Sequence, residues 1–178
     1  MNVGTHLTKR ASIYPDVEAL VDLHSGRRFT YSELDREANK LARVLIGLGL
    51  AKGDRVAALL PNGHEFVEVF YGAARAALVV VPLNVRLVAA ELAFMLRDSG
   101  PTVFIYGADF DAVVGELQAM GADDASSSEG TPVIHWVRVG DGDGPSWTQD
   151  FAALMRDAST DPVAVDVVGD DPLFIMYT

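Results

Sequence analysis

Cysteine is absent from all 178 residues. Its absence excludes disulfides, thiolate metal sites and a cysteine nucleophile. Basic residues are scarce: 14 Lys and Arg stand against 25 Asp and Glu, a formal net charge of -11. A field of that sign repels nucleic acid and anionic lipid and favours solubility, so no nucleic-acid partner is expected. Long apolar runs are also missing. Stretches such as 76–81 fall far short of the ~20 residues a membrane-spanning helix requires. The N-terminal MNVGTHLTKRASIYP carries no apolar core of a secretory leader. A cytoplasmic location is the default expectation, with peripheral membrane contact left open.

Signatures of chemistry are equally sparse. There is no GxxxxGK[ST] phosphate loop and no GxSxG nucleophile elbow. Gly47, Gly49 and Gly53 approximate a dinucleotide fingerprint, but the third glycine comes one residue late and the group follows a helical pattern instead of a strand. A helix end followed by a turn fits these glycines better. His6, His24, His64 and His135 show no metal-ligand spacing; His64 suits a helix start and His24 a hairpin turn. The GDGDG run at 140–144 has two carboxylates of a calcium loop and lacks the third acidic position and the closing glutamate, so it reads as a turn. Asp123-Asp124 and Asp170-Asp171 read as solvated surface.

What is present is patterning. Residues 2–14 read as a short helix stopped by Pro15, and 19–22 with 27–30 as a hairpin around Ser25-Gly26. Thr30 and Glu33 have capping-box spacing. Leu34, Ala38, Leu41, Leu45 and Leu48 then repeat along one helical face, and Gly49 sits where a helix favours a left-handed residue. Beyond a turn at 52–54, strands are expected at 55–60, 78–81, 102–106, 133–139 and 173–178. Helices are expected at 64–77, 88–98, 110–120 and 146–156, the last with Ser146 and Gln149 at capping-box spacing. Residues 122–130 read as a mobile acidic loop, and 158–171 as irregular apart from alternating Val163, Val165 and Val167. The fold class that follows is α/β: a doubly wound, largely parallel sheet with helices on both faces.

Three segments carry a more specific signal. FTYSELDREANKLARVLIGLGLAKGDRVAALLPN (29–62) combines an aromatic-[TS]YxEL opening, a long helix, a GxxxGDRV turn and strand, and a P-N turn. FYGAARAALVVVPLNVRL (70–87) gives a helix, a buried strand and P-[LI]-[ND]. DDPLFIMYT (170–178) is a strand ending in YT. In this order they resemble the adenylate-forming (AMP-binding) superfamily of acyl-CoA synthetases, luciferases and peptide-synthetase adenylation domains, most like the N-terminal part of a bacterial fatty-acid–CoA ligase. That family often has glycine where this chain has Ala77, and its YT strand runs directly into an SGTTGxPKG phosphate loop.

The resemblance implies that residues 1–178 form the N-terminal subdomain of an acyl-CoA synthetase-like adenylate-forming domain, ending just before the phosphate loop. The parent enzyme would use ATP, Mg²⁺ and coenzyme A to activate a carboxylic acid, in this subfamily a fatty acid. It places no catalytic residue in this chain. Only Thr178 maps onto the site, as a contact to ATP phosphate or Mg²⁺, with Tyr177 behind it as buried strand. The chain alone is then expected to be inactive, to bind none of these cofactors tightly, and to self-associate through its last strand. Two other readings stay open: a small flavodoxin-like module binding a nucleotide or other ligand at the sheet's switch point, and a non-catalytic interaction protein derived from this family.

Overall fold

A computed structural model describes residues 3–121 and 133–177. Helix α1 (Gly4–Ile13) precedes an antiparallel hairpin, β1 (Glu18–Val21) and β2 (Arg28–Thr30). Helix α2 (Tyr31–Gly47) starts on the expected capping box: Thr30 Oγ1 accepts from the Glu33 N–H at 3.2 Å, and the Glu33 carboxylate accepts from the Thr30 N–H at 2.8 Å. Its stripe of Leu34, Ala38, Leu41 and Leu45 is buried, and each leucine contributes about 1.5–3 kcal/mol gross. The chain leaves the helix through Gly49 at φ +93°, a backbone region that costs glycine nothing.

Five parallel strands follow in the spatial order β4-β3-β5-β6-β7. They are β3 (Arg55–Leu59), β4 (Val79–Pro82), β5 (Val103–Gly107), β6 (His135–Val139) and β7 (Gln149–Asp150). The connecting helices are α3 (His64–Arg75), α4 (Ala89–Ser99), α5 (Asp111–Ala119) and α6 (Phe151–Arg156). Side chains alternate across a strand, and the two faces here carry separate cores. Val56, Ala58, Val80 and Ile105 pack under α2, α3 and α6. Ala57, Leu59, Val81 and Phe104 pack under α4 and α5. Strands apolar on both sides are what a sheet covered on both faces requires. A third cluster, Leu7, Phe29, Leu34 and Ala38, ties α1 and the hairpin to α2. Buried Arg75 fastens the same corner, donating to Asp35 Oδ1 (2.5 Å), Asn39 Oδ1 (2.5 Å) and Thr8 Oγ1 (3.1 Å). No helix among the described residues is long and apolar enough to cross a membrane.

Two expected elements take another form. The helix at 146–156 begins only at Phe151, capped by Asp150, whose Oδ1 accepts from the Ala153 N–H at 2.6 Å. Gln149 and Asp150 pair with Val137 and Arg138 as β7, so the open edge of β6 takes the residues that Ser146 was expected to lead into a helix. Trp147 supports this arrangement edge-on against Trp136, 5.6 Å between ring centroids.

Of the strand expected at 173–178, the described residues form a single parallel bridge, between Phe174 and Val80. The Val80 N–H donates to the Leu173 carbonyl (2.9 Å) and the Ile175 N–H to the Val80 carbonyl (3.0 Å). The next β4 donor in that register would be residue 82, a proline without an N–H, so the ladder stops there. Val163, Val165 and Val167 are all half-buried and alternate with exposed residues, but they form no strand. The acidic loop at 122–130, with Asp123-Asp124, lies outside the described residues.

Candidate functional site

In an open parallel sheet, ligands favour the carboxyl ends of strands where successive crossovers part to opposite faces. Here α3 leaves β3 toward one face and α5 leaves β5 toward the other, so that point lies between β3 and β5. A cleft of about 760 Å³ opens there, lined among others by Arg27, Asn62, His64, Gly107, Asp109 and Gly140.

His64, the first residue of α3, is held from two sides. Its Nδ1 lies 2.7 Å from Asp22 Oδ2 and its Nε2 lies 2.5 Å from Arg27 Nη1. A guanidinium can only donate, so Nε2 accepts from Arg27 and Nδ1 donates to Asp22: both ring nitrogens are engaged. Asp22 also accepts from the backbone N–H groups of His24 (2.9 Å), Ser25 (3.2 Å) and His64 (3.3 Å). The His64 bond above all, aided by Ser25 and His24, holds its carboxyl well below the usual carboxylate range despite burial.

Chemically this is a lock. Asp22 supplies from the hairpin the negative charge that the exposed N–H groups of α3 attract. Arg27 closes the far side and lies 4.6 Å over the Phe29 ring. Asp22, His64 and Glu65 stand close enough together to hold a cation. The proton on Nδ1 and the guanidinium on Nε2 both oppose one, and these residues do not fit a metal. The sequence places His64 at a helix start and His24 at a hairpin turn, and both sit there. The Asp22–His64 pair spans 42 residues and leaves no mark in local spacing.

A second buried group was not foreseen. Glu68, on the next turn of α3, is 3% exposed. Burial pushes its carboxyl up to about 8, with Glu37 and Glu65 adding to the effect, so it is uncharged at neutral pH. The 140–144 run is a turn, as expected. Arg138 donates to the Asp111 carboxylate (3.0 Å) and to the carbonyls of Asp141 (3.2 Å) and Gly142 (3.1 Å). A guanidinium among these oxygens is incompatible with calcium.

Thr178 lies outside the described residues. Tyr177, immediately before it, is half-buried, and its hydroxyl donates to Asp98 Oδ2 at 2.7 Å, with the Met95 carbonyl at 3.3 Å. Burial first, and the bond to Asp98 second, raise the Tyr177 hydroxyl pKa. With that oxygen held by a carboxylate, Tyr177 offers nothing to phosphate or Mg²⁺. The described residues at this point do not make up a set of ligands for either.

The model of the AMP-binding enzyme family matches residues 7–178. The long-chain-fatty-acid–CoA ligase FadD13 of Mycobacterium tuberculosis is 42% identical over 177 residues, covering 99% of this chain and 32% of that protein. The fatty acid–[acyl-carrier-protein] ligase ScoC of Streptomyces coeruleorubidus is 34% identical over 157 residues, 88% of this chain and 27% of its own length. The solved N-terminal domain of FACL13 from Mycobacterium tuberculosis superposes with a TM-score of 0.87 at 40% identity, covering 100% of this chain and 42% of that one. An anthranilate CoA ligase, AuaEII, solved with anthranoyl-AMP, shares the fold at a TM-score of 0.86 and 22% identity, over 98% of this chain and 31% of its own. The chain therefore spans about a third of the length of the curated relatives it matches. The order of its strands, the split of its helices between two faces and its match from residue 7 to residue 178 agree: the chain belongs to the AMP-binding enzyme family.

Proposed function

We propose that this chain is the N-terminal scaffold of an ATP-dependent fatty-acid–CoA ligase and is inactive by itself. The reaction joins a carboxylate to ATP, giving acyl-adenylate and pyrophosphate. The thiol of coenzyme A then displaces AMP, giving the acyl-CoA thioester. The observation that carries this reading is the 42% identity to a long-chain-fatty-acid–CoA ligase along 99% of the chain.

In this reading residues 1–178 are one subdomain, and its sheet sets the direction of the segment that ends in Tyr177. Thr178 is the foothold in the site, as a contact to ATP phosphate or Mg²⁺. The enzyme works in the cytoplasm on fatty acids, with peripheral membrane contact where these partition into lipid, and this chain alone self-associates. The absence of a glycine- and lysine-bearing phosphate loop from these 178 residues supports its inactivity, because phosphate binding needs a cradle of backbone N–H groups and a cation.

ATP–pyrophosphate exchange with a panel of fatty acids tests the reading. The chain alone should stay at background, and the whole ligase containing it should exchange and release acyl-CoA. Exchange by the isolated chain would show that the missing loop is dispensable. A whole protein that activates no fatty acid would remove the proposed substrate class.

A further inference from the structure

We infer that Asp98 is a positioning residue for the ATP half-reaction, acting through the hydroxyl of Tyr177; this rests on the ligase reading above. The 173–177 segment is held to the sheet sparingly. Its backbone makes two hydrogen bonds with Val80, and Pro82 lacks the N–H that would donate to the Ile175 carbonyl in the next rung. Phe174 anchors the segment on one side, stacked on Phe70 with 5.1 Å between centroids. Ile175 and Tyr177 lie on the opposite side, against the α4 core. Beyond Ile175 no backbone bond ties the segment to β4 among the described residues. The polar contact that fixes its end is therefore made by a side chain: Tyr177 Oη to Asp98 Oδ2 at 2.7 Å, with the Met95 carbonyl at 3.3 Å.

The geometry suits a hinge point. Asp98 lies in the last turn of α4, whose Leu92, Ala93 and Leu96 are buried in the core, so its carboxylate stands on a rigid element. Tyr177 is the last described residue of the segment, and its ring and hydroxyl hold that end against α4. A hydrogen bond to a charged acceptor is among the stronger side-chain contacts. A neutral acceptor in the same place, as in Asp98→Asn, keeps the bond in weaker form. The tyrosine's oxygen is used up by α4, and this is what lets it hold the chain without entering the chemistry.

Two measurements test this. On this chain, hydrogen exchange at the Ile175 amide should speed up about tenfold or more in Tyr177→Phe and in Asp98→Ala. Asp98→Asn should stay within about threefold of the parent, and the amides of β3 and β5 should not change. Unchanged Ile175 exchange in Tyr177→Phe overturns the anchor whatever the protein does. In the whole ligase, the same two disruptive variants should raise KM for ATP about tenfold, leaving KM for the fatty acid and the melting temperature in place, with Asp98→Asn largely restored. Equal losses toward ATP and acid, or a loss that follows the melting temperature, would mean a merely structural contact and overturn the positioning role. A parent ligase silent toward every fatty acid overturns the functional reading and the positioning role with it, while the exchange data still decide the anchor.

Discussion

Glu68 is kept uncharged by its surroundings. Its pKa is pushed up to about 8, by burial first and then by Glu37 on α2 and Glu65 on α3, against smaller opposing effects from Arg27 and Lys40. In the unfolded chain the same carboxyl titrates near an ordinary ~4.3. A raised folded value favours the folded state below the unfolded pKa, and the benefit is lost as pH rises through the folded one. Stability should therefore fall between about pH 4.5 and pH 8, where the folded chain must retain a proton that the unfolded chain releases. Glu68→Gln removes that titration. Urea unfolding at pH 5 and pH 8 should show a smaller drop for the variant, and at pH 8 the variant should be the more stable protein by a few kcal/mol. Parallel pH profiles for the two proteins would refute the assignment. None of this is legible in the sequence, where position 68 is one more glutamate on an amphipathic helix. Ala77 is the opposite case. The family's preference for glycine there matches its observed φ of +56°, a conformation an L-residue adopts only at a cost.

Helix α3 crosses α2 at close range because of one glycine. A Cβ placed on Gly72 would lie 2.9 Å from Leu41 Cβ and 3.2 Å from the Ala42 backbone nitrogen, neither of them the free end of a flexible side chain. Gly72→Ala must push the helices apart, against a helix-propensity gain of about 1 kcal/mol. The steric term should win, with a net loss of about 1–3 kcal/mol. Thermal unfolding of the variant checks this, and an unchanged or raised midpoint would show that the crossing has slack. At this scale the sequence was most informative where a pattern is local. The capping box at Thr30, the leucine stripe and the apolar strands β3, β4 and β5 all stand where they were expected. It misled where a distant partner decided the outcome. Ser146 and Gln149 have the spacing of a helix start, yet the open edge of β6 claims Gln149. The apolar run after Pro172 reads as a strand, yet Pro82 on its neighbour ends the pairing after one bridge.

For the molecule as a whole, the order of the strands followed from alternating elements, but the contents of the switch-point cleft did not. Asp22, Arg27 and His64 come from two separate elements, and no spacing rule links them. The same scale governs association. The 173–177 segment forms the outer edge of the sheet beside β4, and among the described residues its other edge has no backbone partner. Met176 on it is 71% exposed, and Phe94 on α4 is 57% exposed. An unpaired apolar edge is a template for a second chain, and the net charge of -11 opposes that pairing only through a screened repulsion. Self-association should therefore strengthen with salt. Sedimentation velocity across about a hundredfold range of concentration should show the average mass rising, more steeply at about 0.5 M than at about 0.05 M salt. Met176→Lys places a charge on the edge and should return the chain to a monomer without lowering its melting temperature, since the side chain lies in solvent. A parent chain that stays monomeric throughout would show that two hydrogen bonds and the Phe174–Phe70 stack leave an edge too short to template a partner. If the variant associates as strongly as the parent, the interface lies elsewhere, and exposed Phe94 on α4 is the next position to charge.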